Sequence, residues 1–171
     1  MKLYHISEEA GIRVFHPRPS PQKYDGINGD VVFAVSDEML HNYLLPRDCP
    51  RVCYYAKPDS TAEDIEVFIG NTDKRFIINV EENSAESISN TKLYLYELQA
   101  EDFTLLDIGA GYYISCQSVK PQKVIVIENI PEELSKYNVE VRTHTSLTEL
   151  AESVAKSSLQ FSIIRMRNAK F

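Results

Sequence analysis

The chain has 171 residues, 43% of them hydrophobic and 25% charged, with a net charge of −7. It is long enough to bury a core without staples, too apolar to be disordered, and too acidic for general binding to nucleic acid or anionic lipid. No apolar run approaches a membrane span and the opening MKLYHISEEAGIRVF lacks a continuous apolar leader, so one cytoplasmic domain over residues 1–171 is expected.

Residues 2–5 read as a short opening strand. Pro17, Pro19 and Pro21 then exclude helix and leave an extended loop that ends at Asp25-Gly26 and Asn28-Gly29. Residues 31–35, VVFAV, are continuously apolar, as in a strand buried on both faces. Ser36 or Asp37 caps a short helix through Tyr43, which stops before Pro46. A strand follows over 51–56, and Ser60 or Thr61 opens a helix to Ile69 that Gly70 closes.

The second half is richer in strands, at 75–80, 92–98, 112–116 and 123–128, with Gly109-Ala110-Gly111 as a turn. Residues 131–136 form a short helix with proline in its first turn, and 139–143 a strand. Over 146–157 the spacing predicts a helix with Leu147, Leu150, Ala151, Val154 and Ala155 on one face and Ser146 with Glu149 as a capping box. Residues 161–167 form the last strand. Strand–helix alternation fails after residue 90, so the fold class is α/β of the α+β kind, with mixed, largely antiparallel sheets and short helices.

Three cysteines without metal-ligand spacing point to free thiols and no metal site. No glycine-rich phosphate loop is present. Charge is distributed unevenly. Residues 10–24 carry Arg13, Arg18 and Lys23 and no acid, and residues 153–171 carry Lys156, Arg165, Arg167 and Lys170 and no acid. Between Arg47 and Lys57 three cations meet only Asp48. An acidic chain with such segments can build an anion pocket while repelling bulk polyanion. Arg47 and Arg51, near Tyr43 and each directly after a proline that fixes the backbone, share a face if their segment is extended; Arg165 and Arg167 share a face if theirs is a strand. Adjacent arginines repel unless an anion or acids lie between them, and fixed guanidinium groups suit phosphate or carboxylate. The bland alternative is pairing of each arginine with a nearby acid. Cys49, flanked by Arg47 and Arg51, is a candidate nucleophile or, more commonly, a small buried apolar group. His5, at the end of the opening strand, is placed to face a cleft.

Five strings, LYHISE at 3–8, FHPRP at 15–19, NYLLPRDCPRV at 42–52, GAGYYIS at 109–115 and FSIIRMRNA at 161–169, together resemble a bacterial family that is a domain of unknown function. The opening LYH followed by Ser7, with VVFAVS at 31–36, also resembles the first two strands of ADP-ribosyltransferase-like folds, which include RNA 2′-phosphotransferases and DNA-modifying toxins. That resemblance implies that His5 holds an NAD ribose, Ser7 supports it, Phe33 begins a nicotinamide pocket and Glu97 is a candidate catalytic glutamate. Ile6 stands where those folds carry glycine, and Phe33 where tyrosine is common.

The function expected from these readings is binding of a phosphorylated ligand, NAD or ADP-ribose-like, in a cleft near His5 lined by Arg18, Arg47, Arg51, Arg165 or Arg167. Two other classes remain open: a non-catalytic ligand module, and a protein-interaction domain using the ten tyrosines.

Overall fold

The computed structural model describes residues 1–170. The chain is a mixed α+β protein with two largely antiparallel sheets and a few short helices. Its contacts divide it into two compact units, one of Met1–Leu44 and Lys92–Glu128, the other of Leu45–Thr91 and Asn129–Phe171.

The first unit is built on six strands: β1 (Leu3–Ser7), β2 (Val32–Ser36), β5 (Leu93–Leu98), β6 (Thr104–Asp107), β7 (Tyr112–Ser115) and β8 (Lys123–Ile127), in the order β6-β7-β2-β1-β5-β8. Every pair is antiparallel. Directly opposite residues share a face, so Leu3, Ala34, Tyr96 and Leu98 lie together, and they pack with Phe15, Phe103 and Val119 into the unit's core. A 3-10 turn at Asp37–Tyr43 follows β2. The turn at Gly109-Ala110-Gly111 closes the β6–β7 hairpin. There Asp107 accepts the amides of Gly109 and Ala110, and Gly111 adopts φ +70°. Strand β6 was not expected from the sequence; it is a short edge strand with a bulge at Leu105–Asp107.

The second unit carries β3 (Arg51–Tyr55), β4 (Phe76–Glu81), β9 (Val139–His144) and β10 (Gln160–Ile164), in the order β10-β3-β4-β9. Only β4–β9 is parallel. Its helices are α1 (Ala62–Asp64), which continues as a π turn over Ile65–Ile69, α2 (Ala85–Asn90), α3 (Ile130–Leu134) and α4 (Thr148–Ala155). Thr61 caps α1 by accepting the Asp64 amide, and Asn129 caps α3 by accepting that of Glu132. One sheet face, with Val52, Tyr54 and Ile77, packs under Leu147, Ala151 and Val154 of the α4 region.

Three local expectations are corrected. Leu150 is only half-buried and Ala155 is exposed, so the apolar face of α4 is narrower than the spacing suggests. The Ser146–Glu149 capping box does not form: α4 has Leu147 at its N-cap position, and the Ser146 oxygen accepts the Thr148 amide at 3.4 Å while its hydroxyl donates to the Lys170 carbonyl at 2.9 Å. The last strand ends at Ile164: Arg165 turns left-handed at φ 57°, and Met166–Asn168 is a 3-10 turn, so Arg165 and Arg167 do not line a strand face.

Candidate functional site

Strand direction gathers the polar residues of the second unit at one end of its sheet. Strands β4, β9 and β10 run the same way and β3 runs against them. The end that holds the first residue of β3, Arg51, therefore also holds Glu81, His144 and the Arg165 turn. Arg51 lies opposite both Val80 and Ile164, and Glu81 opposite His144. Carboxyl ends of strands are a recurrent place for ligand sites, since several loops converge there.

The loop entering β3 folds back on Arg51 instead of extending, so Arg47 is exposed while Arg51 is 4% exposed. One guanidinium nitrogen of Arg51 donates to the carbonyls of Pro46 (3.0 Å) and Cys49 (3.1 Å), and its Nε has no hydrogen-bond partner among the described residues. A buried guanidinium carries its charge whatever its surroundings, so this end of the sheet has a fixed positive centre. Arg165 is half-buried. Burial first, then the charges of Arg167 and Arg47, hold its guanidinium below its ordinary pKa; Asp48 opposes that shift and Arg51 adds to it. Neither Arg165 nor Arg167 makes a side-chain hydrogen bond or ion pair with a described residue. Arg165 is also the single non-glycine residue with positive φ among those described, a strained backbone conformation at the point where β10 ends.

Three residues at the same end were not singled out in the sequence: Asn79, Glu81 and His144. Glu81 is 1% exposed, and its Oε1 accepts the Lys170 amide at 2.9 Å. Asn79 donates through Nδ2 to the Val52 carbonyl at 2.9 Å, which leaves Oδ1 to accept from His144 Nε2 at 2.8 Å and so assigns the proton to Nε2. Their signal was present: Asn79 and Glu81 alternate in an otherwise apolar strand, FIINVE, and so share one buried face.

Cys49 is buried, and burial raises its thiol pKa despite the hydrogen bond from Ser84 and the charge of Arg51. Burial pushes Cys53 up to about 12. Both are packing thiols rather than nucleophiles. Iodoacetamide at neutral pH is therefore expected to modify exposed Cys116 alone in the folded protein, read by peptide mass mapping. Equal labelling of Cys49 would contradict this.

The remaining candidates belong to the first unit. His5 lies within β1, not at its end. It is half-buried, its Nδ1–H donates to the Phe33 carbonyl at 2.9 Å, and its ring lies 4.5 Å from that of Phe15. Ser7 accepts the Glu9 amide through Oγ. Glu97 is opposite Tyr4, whereas His5 is opposite Tyr96, so the two side chains leave the sheet on opposite faces. Glu97 pairs with Lys2 at 3.3 Å. Phe33 and Tyr43 both pack on Tyr112, at 5.8 and 5.4 Å, and Tyr24 joins Phe33 at 6.0 Å. The Tyr43 hydroxyl donates to the Ala110 carbonyl. Tyr24 is pushed up to about 12, chiefly by burial. Arg18 is exposed, and its backbone bridges to Val31. An open depression of about 520 Å³ lies in the Pro19–Asp30 loop, lined among others by Lys23, Asp25 and Asp30; none of the expected arginines lines it. Arg47, Arg51, Arg165 and Arg167 thus come together in one unit, and His5, Ser7 and Arg18 are in the other.

Among the described residues no cluster of three metal-ligating side chains exists, and no helix is long and apolar enough to cross a membrane. Residues 4–169 match a family of unknown function, DUF6886, and the chain belongs to that family. No curated protein and no solved structure matches the chain.

Proposed function

We propose that this member of the family binds an oxyanion, the phosphate of a phosphorylated small molecule, at the arginine-rich sheet end of its second unit. One observation carries the reading: Arg165 is partly desolvated beside Arg167, Arg47 and Arg51, whose charges act on it, with Asp48 opposing them. Like charges held this close destabilise the fold unless an anion neutralises them, and guanidinium groups recognise phosphate oxygens in pairs. The chain's overall acidity then acts as a filter that turns away polyanions and admits a small ligand.

Inorganic phosphate and sulfate should raise the melting temperature of the protein, because a ligand of the folded state stabilises it by mass action. Arg165→Ala and Arg167→Ala should each weaken phosphate binding by about tenfold or more, the value of a hydrogen bond to a charged group. Isothermal titration calorimetry checks this, and wild-type affinity in both variants would remove the site.

The narrower reading, use of NAD in the manner of ADP-ribosyltransferases, is supported by His5, whose ring is oriented by the Phe33 carbonyl of the neighbouring strand. Glu97 is unsuited to act with it, being on the other face of the sheet. Titration with NAD, ADP-ribose and nucleotides separates the cases. Turnover of NAD selects the enzyme, and binding without turnover selects a ligand module. Indifference to every phosphate selects a protein-interaction domain.

A further inference from the structure

We infer that Glu81 is the positioning residue of the oxyanion site, acting through the segment that carries Arg165 and Arg167; this rests on the oxyanion reading above. After the left-handed turn at Arg165 the chain crosses the sheet end and is held from three elements. The Asn168 amide Nδ2 donates to the Asp48 carbonyl at 2.9 Å, on the loop before β3. Glu81, at the end of β4, accepts the Lys170 amide at 2.9 Å. Ser146 and Thr148, after β9, donate their hydroxyls to the Lys170 carbonyl at 2.9 and 3.2 Å. Both backbone groups of Lys170 are thus clamped by side chains, and Met166 packs into the core under α4.

This arrangement is a strap rather than a loose end. A left-handed arginine is held only while surrounding contacts over-determine it. The contacts that do so here lie downstream, and the most buried is Glu81 at 1% exposure. A carboxylate is a strong acceptor for a backbone amide, and its loss leaves that amide unpaired. Freed at Lys170, the segment can relax at Arg165, and the guanidinium groups lose their fixed spacing.

Positioning and electrostatics predict opposite signs. Glu81 is an anion at the same sheet end as the arginines, so if charge alone mattered its removal would tighten phosphate binding. If it positions the arginines, its removal weakens binding. Glu81→Ala is therefore expected to lower affinity for inorganic phosphate roughly tenfold, consistent with the loss of one charge-assisted hydrogen bond. Glu81→Gln, neutral but still an acceptor, should bind at least as tightly as wild type. Ser146→Ala with Thr148→Val attacks the same clamp from an exposed and a half-buried position and leaves the buried residue intact, so it serves where Glu81→Ala does not fold.

The experiment pairs phosphate titration of the full chain with amide hydrogen exchange over residues 166–170. Phosphate should slow exchange there in the wild type. Glu81→Ala, or the Ser146/Thr148 double variant, should speed exchange and lose affinity together. If these variants bind phosphate as tightly as wild type, or more tightly, the positioning role is overturned while the oxyanion site stands. If wild-type protein ignores phosphate altogether, the oxyanion reading falls and the inference falls with it.

Discussion

Leu147→Ala is expected to destabilise the protein by about 2–5 kcal/mol, the range for deleting a fully buried leucine. Leu147 is 0% exposed and packs among Val52, Tyr54, Ile77 and Val154. Truncation there removes apolar contact and leaves a hole bounded by two strands and a helix, none of which can collapse easily into it. The same change at Leu150, on the next turn and half-buried, should cost visibly less. Urea unfolding of the two variants side by side provides the check. Indistinguishable midpoints would mean that the face of α4 is assigned wrongly.

Gly111→Ala should be about as damaging, for a different reason. Gly111 sits at φ +70°, where a side chain costs about 1–2 kcal/mol. A methyl group would also lie 2.6 Å from Met39 Cβ and 2.7 Å from Ser36 Oγ. The Ser36 amide donates to the Gly111 carbonyl at 2.9 Å, so the hairpin cannot simply move away. Forcing extra volume into a packed site costs about 1–3 kcal/mol, which gives roughly 2–5 kcal/mol in all. A melting temperature within error of wild type would show that the turn has slack which its contacts do not suggest.

The periodic and local features were legible in the sequence. Leu147, Ala151 and Val154 lie on a 3.6-residue face and are buried as a set. Thr61 caps its helix and Gly70 ends the turn after it, both at positive-φ or extended positions that local chemistry alone selects. The failure of strand–helix alternation after residue 90 correctly implied largely antiparallel sheets. The end of β10 was not legible. FSIIRMR alternates well enough to read as strand throughout, and what stops it at Ile164 is long-range: the bonds to Asp48 and Glu81. Ser146 was misread for a similar reason. A serine before a helix is an ordinary cap, and only tertiary structure brings it a better partner in Lys170. Acid depletion marks Arg47, Arg51, Arg165 and Arg167, whose charges act on one another, but it marks Arg18 equally, and Arg18 lies in the other unit. It gave no warning that Arg51 is buried or that His5 and Glu97 lie on opposite faces, since both follow from register.

The chain visits each unit twice, and this sets an order of events during synthesis. Strands β3 and β4 leave the ribosome before β5 to β8, yet the strands that flank them, β9 and β10, come after all of these. The first unit can close as soon as β8 is out. The second must wait as a two-stranded fragment, too small to be stable by itself, with Ile77 and Val52 lacking the helix that will cover them. A nascent or truncated chain therefore presents one finished half and one adhesive half, the kind of species that chaperones and proteases sort. Arg165 and Arg167 are translated last among the clustered arginines, after all ten strands.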